Sequence, residues 1–456
     1  HSVTGKIMKI VAYQMFFHKR MSEALQQSGH DLTFLSSERR SDESGIIGTF
    51  YNTTDEAELD EKTLNDVILR CRYLSGINNK RARENVRKMW FSVNKFLTAH
   101  TPDLVVMQAV DNYVADLVCR LCAKQRIPCF QPRRSPLHGL TRITNALDAP
   151  KIRSVEDEEV FSAIEQLRNN FKASYQNTNK RKKHQILLKL AREVAKKLVF
   201  TYWKKKYKDP RSFHYNAIFP NENAITISSF RQLKATSFYN HSVEKISLIA
   251  RQYKNVVFWP LAMCPESAIC YMNKDCRLSD YKRIINKVVG ALPTDVLLIV
   301  KEHPSAVGFR PVDHYESIVN NHNVLFASMD ISTGKLIEIA DKVLINTAST
   351  TGIEAAVLGK PVLSLGSCHY AMEGVVHNID SVDRVDTWYD NFPKLTTNED
   401  AIKDFVRNYL ENTIPGGTWG PHDAHLPDFD DKIRTTLEAC ISLSESGYVP
   451  SYFDMK

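Results

Sequence analysis

Two strand-to-helix corners between residues 295 and 366 constrain the fold of this chain most. The first reads DVLLIVKEHPSAVGFRP and the second reads ADKVLINTASTTGIEAAVLGKPVLSLG. Each is a β-branched apolar run that stops abruptly at polar residues, which is typical of a buried parallel strand. Ligands of open α/β sheets bind at the carboxyl ends of such strands. The sequence therefore predicts a site for an anionic, nucleotide-linked ligand, formed by Lys301, Glu302, His303, Asn346, Thr347, Ser349, Thr350 and Thr351.

The alternation of apolar strands with helical patterns recurs along the chain. It occupies residues 6–36, continues over 103–132 and resumes over 255–366. Such alternation predicts parallel sheets, and 456 residues exceed what one hydrophobic core ordinarily supports. The sequence therefore predicts an α/β fold with two Rossmann-like domains in a GT-B-like arrangement. The cleft between two such domains is the expected substrate site.

The expected domain boundaries lie where this alternation of strands and helices is interrupted. Residues 151–215 are highly charged and mostly helical in pattern, and we interpret them as a helical basic insertion. An N-terminal Rossmann-like acceptor domain is predicted over 6–240, with polar residues 40–64 forming loops. A nucleotide-binding domain is predicted over 241–376. Residues 377–456 are predicted to form a helical tail that packs back on the N-terminal domain.

The positive charge is concentrated in one segment. The chain has a net charge of +8, and residues 180–208 alone hold 12 Lys or Arg and one Glu. Apolar residues interleave with these lysines, as in a basic amphipathic helix that lies on an anionic membrane surface. The same pattern fits a helix that packs its apolar stripe on the protein and keeps its lysines in solvent, and both interpretations remain open. No nucleic-acid-binding signature accompanies the charge, so nucleic acid is not an expected partner.

The cysteines and the hydropathy favour a cytoplasmic protein. Nine cysteines are too sparse for a disulfide scaffold. Cys119, Cys122 and Cys129 lie close together in the sequence, but Cys119 and Cys122 fall in an apolar helical pattern, and no His pair or second Cys pair has zinc-ligand spacing. Reduced structural thiols are therefore expected, and a metal site is not. Because no run of 18 apolar residues occurs, no membrane-spanning helix is predicted. Association with the inner face of the cytoplasmic membrane would be peripheral.

The second corner, NTASTTGIEA, combines a helix start with three hydroxyl groups. Amide groups and the dipole at a helix N-terminus attract phosphate, and Ser349, Thr350 and Thr351 add donors. Gly352 lets a ligand approach without a Cβ atom in the way, and Glu354 could accept hydrogen bonds from ribose hydroxyls. Alternatively, Ser349 or Thr350 caps the helix and Glu354 closes a capping box. Both interpretations can hold together, but a cap needs one hydroxyl and this corner offers three.

Three further positions are candidates for chemistry. His303, after Lys301 at the first corner, can donate to a phosphate oxygen or protonate a leaving group. Glu266 follows the strand at 255–262, which should neighbour the KEHP strand, and could serve as nucleophile or base, or as a simple loop acid. Asp111 ends the strand at 103–110 and is a candidate base for an acceptor hydroxyl, although an N-cap role is the simpler explanation.

These residues also carry a family resemblance. The order PLAMCPESAI, then VKEHPS with a following GFRP, then LIEIADKVLINTASTTGIEAAVLGKPVLSLG resembles bacterial capsule polysaccharide biosynthesis proteins, which include retaining β-Kdo transferases that use CMP-Kdo. The resemblance implies a GT-B-like fold, a membrane-peripheral enzyme, and CMP recognition by His303, Ser349, Thr350 and Thr351. In those transferases the loop matching residues 264–268 carries the acidic group that attacks the anomeric carbon, and Glu266 occupies that place. The chain departs from the pattern in having Met263-Cys264 where Gln is frequent, and Glu where Asp is typical.

The resemblance implies a glycosyltransferase of capsule or lipopolysaccharide assembly. It would transfer an ulosonic acid, with Kdo the expected sugar, from its CMP-activated form to a glycan or glycolipid acceptor. The donor is a substrate, so no cofactor is expected, and no DxD-like motif indicates a metal. Glu266 would be nucleophile or base, His303 would stabilise the CMP phosphate, and Glu354 would hold the ribose. The alternatives are a CDP-polyol phosphotransferase, a sugar-nucleotide epimerase, or a non-catalytic membrane-associated scaffold.

Overall fold

The computed structural model describes most of the chain. The described residues are 7–14, 19–36, 45–144, 149–169, 188, 191, 195, 237–264, 266–304, 306, 310–394, 398–417, 419 and 424–452. They form two compact units. The described residues up to Val155 and from Tyr409 onward belong to the first unit, and those from Glu156 to Asn408 belong to the second.

Twelve strands and fourteen α-helices are described. The strands are β1 (Lys9–Gln14), β2 (Asp31–Ser36), β3 (Leu104–Met107), β4 (Cys129–Arg134), β5 (Leu140–Thr144), β6 (Asn255–Pro260), β7 (Val296–Lys301), β8 (Val324–Phe326), β9 (Lys342–Asn346), β10 (Val362–Leu365), β11 (Val376–Ile379) and β12 (Thr413–Pro415). The helices are Lys19–Gln26, Ile46–Asn52, Glu61–Arg70, Asn79–His100, Tyr113–Gln125, Asp157–Arg168, Val243–Ala250, Ser267–Tyr271, Tyr281–Gly290, Glu316–Val319, Thr333–Ile339, Thr350–Val357, Glu399–Glu411 and Phe429–Glu445. None of the described helices is long and apolar enough to cross a membrane.

The sheet of the first unit has the order β12-β5-β4-β3-β1-β2. Its strands β1 to β4 run parallel, whereas β5 and β12 pair in antiparallel fashion at one edge. Helix Phe429–Glu445 contributes Phe429, Ile433 and Leu437 to the core beneath this sheet. The C-terminal part of the chain therefore completes the first unit, through β12 and through this helix.

The sheet of the second unit is parallel throughout, with the order β11-β10-β9-β6-β7-β8. Counted along the chain from β6, this is the strand order 6-5-4-1-2-3, that of a Rossmann fold. The order reverses between β6 and β9, which are direct neighbours. The carboxyl ends of β6, β7 and β9 therefore lie side by side at the switch point, where such folds bind ligands.

The apolar runs read from the sequence become the buried strands of this second sheet. The five residues 296–300 of β7 are fully buried, as are 343–346 of β9. Aromatic side chains fill the core around them, with Trp259 and Trp388 inaccessible to solvent. Continuous β-branched runs suit strands covered on both faces, because no position along them meets water.

The prediction of an α/β fold with two Rossmann-like domains is confirmed by the two sheets. The strands predicted at 255–262, 295–300 and 342–346 are β6, β7 and β9, and β6 does neighbour β7. The basic segment 180–208 lies outside the described residues except for Leu188, Ala191 and Ala195. Helix Asp157–Arg168, from the predicted insertion, belongs to the second unit, where Arg168 Nε donates to the Val357 carbonyl at 3.2 Å.

The prediction of loops over 40–64 was wrong for part of that segment. Helix Ile46–Asn52 and the start of helix Glu61–Arg70 lie within it. Asp60 caps the second of these helices by accepting a hydrogen bond from the Thr63 amide at 2.8 Å. A polar cap therefore marks the start of a helix in a segment that reads as loop from composition alone.

Candidate functional site

The candidate site lies at the switch point of the second sheet. Strand β6 is flanked by β9 on one side and by β7 on the other. The chain leaves β6 toward Glu266, β7 toward His303, and β9 toward Ser349. Because all three strands run parallel, these three segments emerge at one edge of the sheet, as the sequence predicts.

The hydroxyl-rich corner leads from β9 into helix Thr350–Val357. Ser349 is the N-cap residue of this helix, with φ −66° and ψ 139°, yet its side chain makes no capping hydrogen bond. The capping alternative therefore does not describe Ser349. Thr350 and Thr351 occupy the first turn, where the helix dipole favours an anion.

Thr347 has a strained backbone at this corner. Its φ is +52°, a left-handed conformation that is rare for a β-branched residue. The strain is held in place because the Thr347 amide donates to the Leu365 carbonyl at 3.1 Å and the Ser364 hydroxyl donates to the Thr347 carbonyl at 2.9 Å. Such conformations persist where the surrounding structure enforces them and cluster at ligand sites.

Glu354 is the most perturbed carboxyl group of this region. Its residue is only 8% exposed, and burial raises the pKa of the Glu354 carboxyl from 4.5 to about 7, opposed by the positive charge of Lys301. Lys301, at the end of β7, also donates to the Ile331 carbonyl. A buried carboxyl group with a raised pKa beside a lysine is a signature of functional sites. The structure thus brings together two of the residues predicted to bind the ligand.

Gly352 is closely packed against protein side chains. A Cβ atom at this position would lie 2.4 Å from the Tyr370 hydroxyl oxygen and 2.6 Å from Ile345 Cδ1. Tyr370 in turn donates to the Ser349 carbonyl. These contacts require glycine for the packing of helix Thr350–Val357, and the predicted approach of a ligand to Gly352 stays a prediction.

His303 adjoins a buried ion pair. Burial lowers the pKa of the His303 imidazole, so the ring is neutral at pH 7. Its neighbour Glu302 is 1% exposed and accepts two hydrogen bonds from Arg310, at 2.7 Å from Nε and 2.9 Å from Nη2. Tyr315 also donates to Glu302. Glu302 is therefore committed to a structural network, and the ligand-binding role predicted for His303 stays a prediction.

Arg310 is a residue whose role the sequence reasoning missed. It lies in the GFRP segment after KEHP, and its Nη2 atom donates both to Glu302 and to the Ala262 carbonyl at 2.6 Å. The spacing of eight residues from Glu302 permits this pair but does not predict it. Nothing in composition or periodicity distinguishes this arginine from a solvent-exposed one.

Glu266 lies at the start of helix Ser267–Tyr271. It is exposed, occupies the N-cap position, and its side chain makes no capping hydrogen bond. Its segment follows β6 directly, and the Leu261 amide donates to the Lys301 carbonyl at 2.8 Å, which continues the pairing with β7. Glu266 therefore lies on a segment that leaves the sheet at the switch point, and its predicted catalytic role stays a prediction.

Asp111 belongs to the first unit, where it follows β3. It forms an ion pair with Arg72. Burial raises the pKa of the Asp111 carboxyl, opposed by the charges of Arg72 and Arg133. Helix Tyr113–Gln125 is capped by Asn112, so capping does not explain Asp111. Its role as a base stays a prediction.

The cysteines predicted as structural thiols are free and buried. Cys119 and Cys129 approach each other in the first unit with 3.8 Å between their sulfur atoms, and the buried amide of Gln131 donates to Cys119 at 3.3 Å. Among the residues that the structure describes, no group of three or more His, Cys, Asp or Glu side chains could hold a metal ion.

Comparison with known proteins assigns the family. A family model described as capsule polysaccharide biosynthesis protein matches residues 156–390. No curated protein sequence matches the chain. Similar solved structures include KpsC of Thermosulfurimonas dismutans, a beta Kdo 2,7 transferase, with 10% identity, 89% coverage of each chain and a TM-score of 0.32. The UDP-GlcNAc 2-epimerase of Methanocaldococcus jannaschii has 14% identity, with 88% of this chain and 98% of that chain covered and a TM-score of 0.24.

The structural similarities are too distant to carry an argument about activity. The family match does establish family membership, because residues 156–390 make up more than half of the 456-residue chain. They include all three strand ends that form the switch point of the second sheet. The chain belongs to the capsule polysaccharide biosynthesis protein family.

Proposed function

We propose that the chain is a glycosyltransferase that transfers an ulosonic acid, Kdo, from CMP-Kdo to a glycan or glycolipid acceptor during capsule assembly. Family membership supports a role in capsule polysaccharide biosynthesis. The choice of a CMP-linked donor rests on the sequence resemblance of the two corners. The proposed retaining course rests on the same resemblance, in which Glu266 takes the place of the attacking acid.

One observation carries the proposal more than any other. Glu354 is a buried carboxyl group with a pKa of about 7, close to Lys301, one turn into a helix whose N-terminus opens at the switch point. A nucleoside monophosphate has the complementary groups. Its phosphate suits the helix N-terminus, and its ribose hydroxyls can donate to the carboxylate.

The proposed roles follow from the chemistry of each group. Ser349, Thr350 and Thr351 hold the phosphate of CMP through hydroxyl and amide donors. His303 is neutral in the free protein because burial lowers the pKa of its imidazole, so it donates one N–H to a phosphate oxygen. The negative charge of that phosphate raises the pKa of His303, which prepares the ring to protonate the departing CMP.

The transfer requires a nucleophile for the sugar. In the retaining course the Glu266 carboxylate attacks the anomeric carbon, the bond from that carbon to the phosphate oxygen breaks, and CMP leaves with the electron pair. An acceptor hydroxyl then displaces Glu266 and loses its proton to a general base, for which Asp111 is the sequence-based candidate. In the inverting alternative Glu266 acts as the base, and the hydroxyl attacks the anomeric carbon directly.

The test separates nucleotide binding from chemistry. Glu266→Gln keeps the size of the side chain but removes the carboxylate, so transfer from CMP-Kdo should be lost while CMP still raises the thermal midpoint of unfolding. The exposed Glu373, in the same unit, provides a matched control. Glu373→Gln should transfer at the wild-type rate. Full activity of Glu266→Gln would refute the assigned role.

A panel of nucleotides distinguishes the alternatives. Stabilisation by CMP over UDP supports a CMP-linked donor. Stabilisation by UDP alone would favour a sugar-nucleotide epimerase, and stabilisation by CDP with no transfer of Kdo would favour a CDP-polyol phosphotransferase. No stabilisation by any nucleotide would favour a non-catalytic scaffold. Peripheral membrane binding through residues 180–208 is a separate proposal, tested by sedimentation of the chain with anionic vesicles at low and high salt.

A further inference from the structure

The backbone of Ala262 anchors the loop that carries Glu266. This Glu266 loop, residues 261–264 and 266, follows β6. The Ala262 amide donates to the Tyr281 hydroxyl oxygen at 2.8 Å, and the Ala262 carbonyl accepts from Arg310 Nη2 at 2.6 Å. Both backbone groups of one residue are therefore held by side chains from elsewhere in the second unit.

Each anchor is itself fixed in position. Tyr281 is 2% exposed, and its hydroxyl donates to Asn346 Oδ1 at 2.9 Å. Asn346 ends β9 and accepts a second hydrogen bond, from Trp259 Nε1 at 2.9 Å. Arg310 is held by Glu302 in a two-point ion pair and stacks over the Tyr281 ring, with 4.8 Å from its guanidinium carbon to the ring centroid. Neither anchor can rotate without breaking buried hydrogen bonds.

These hydrogen bonds connect the ends of three strands in one network. Asn346 belongs to the end of β9, Glu302 to the end of β7, and Ala262 to the exit from β6. The pair of bonds at Ala262 therefore fixes the Glu266 loop relative to the hydroxyl-rich corner that begins at Thr347.

We propose that Tyr281 and Arg310 are positioning residues that hold the Glu266 loop in register with the nucleotide-binding corner. The inference rests on the proposed function, because only that function gives Glu266 a CMP-linked sugar with which it must be aligned. Neither residue touches substrate in this scheme. They act through Ala262, and misplacement of a reacting group by about 1 Å can cost about 100-fold in rate.

Tyr281→Phe is the sharpest variant, because it removes one oxygen atom and keeps the ring under Arg310. It deletes the acceptor of the Ala262 amide and one of the two donors to Asn346. Trp259 still donates to Asn346, so the corner that binds nucleotide should be retained. We expect kcat for transfer from CMP-Kdo to fall about 10- to 100-fold, with the Kd for CMP within about threefold of wild type.

Tyr239→Phe is the matched control. Tyr239 is also buried, and its hydroxyl donates to the Tyr315 hydroxyl at 2.7 Å in the network around Glu302. It makes no described contact with the Glu266 loop. We expect this variant to keep kcat within about twofold, even where it lowers the unfolding midpoint as much as Tyr281→Phe does.

Hydrogen exchange tests the contact between the Ala262 amide and the Tyr281 hydroxyl without an activity assay. The peptide that covers residues 261–271 should exchange faster in Tyr281→Phe than in wild type, and at the wild-type rate in Tyr239→Phe. Unchanged exchange and a kcat within twofold for Tyr281→Phe would overturn the inference, as would equal losses of kcat in both variants. A wild-type chain that neither binds CMP nor transfers Kdo would instead overturn the proposed function, and the positioning role with it.

Discussion

Replacement of Glu354 by glutamine should remove a pH-dependent loss of stability. The carboxyl group ionises near 4.5 when the chain is unfolded and near pH 7 when it is folded, because burial disfavours the charged form. Between these values the folded state binds more protons than the unfolded state. The free energy of unfolding therefore falls as the pH rises through this window. Glutamine cannot ionise and should not show this fall.

The magnitude follows from the two pKa values. The interval from 4.5 to about 7 corresponds to about 3.4 kcal/mol, at ~1.36 kcal/mol for each pKa unit. Of this, about 2.5 kcal/mol is lost between pH 5 and pH 8. Relative to wild type, Glu354→Gln should thus gain about 2.5 kcal/mol over that range.

Urea unfolding at pH 5 and pH 8 measures this difference for wild type and variant. The buried Trp259 and Trp388 both belong to the second unit and report its unfolding by fluorescence. Glu373→Gln, at an exposed position, should follow the wild-type pH dependence. If wild type and Glu354→Gln change in parallel between the two pH values, the carboxyl group is not held neutral by burial. The raised pKa that marks Glu354 as a candidate site residue is then refuted.

Three other predictions test the geometry of the same edge. Gly366→Ala should lower the free energy of unfolding in urea by about 2–4 kcal/mol, because φ is +110° and the new Cβ would lie 1.9 Å from Asn273 Oδ1. A decrease below about 1 kcal/mol would contradict this prediction. Gly352→Ala should lower the free energy of unfolding by about 1–3 kcal/mol, and the added substitution Tyr370→Phe should restore part of that loss. A double variant no more stable than Gly352→Ala would contradict the predicted clash between the new Cβ and the Tyr370 hydroxyl. CMP binding at pH 6.5, measured by calorimetry in two buffers of different ionisation enthalpy, should take up more protons in wild type than in His303→Asn, because phosphate raises the lowered pKa of His303. Equal proton exchange in both would exclude His303.

Much of the second unit could be predicted from the sequence. Strands β6 to β10 are mainly apolar runs, and most end at a polar residue or a turn, so both the type and the boundaries of these strands are encoded locally. The edge strand β11 was not predicted, because VHNI is short and half polar. The adjacency of β6 and β9 also depends on long-range pairing. Only the Rossmann strand order, seen in the structure, makes β6 and β9 the switch point.

The candidate site was predicted as a set of residues but not as a network. Serine, threonine and histidine at strand ends are visible in the sequence. The pairing of Glu302 with Arg310 is not, because it depends on the path of the chain after Pro304. The raised pKa of Glu354 likewise depends on burial, which a helix position alone does not determine. Gly352 was assigned to ligand approach, whereas a Cβ atom at this position would collide with Tyr370 and Ile345 of the protein itself.

A crystal structure of the chain with CMP tests the central claim most directly. The account predicts the phosphate at the N-terminus of helix Thr350–Val357, within hydrogen-bond distance of Ser349 and His303, and the ribose hydroxyls on Glu354. CMP bound elsewhere in the chain, or no bound CMP at millimolar concentration, would contradict the claim that the switch point of the second sheet is a CMP site.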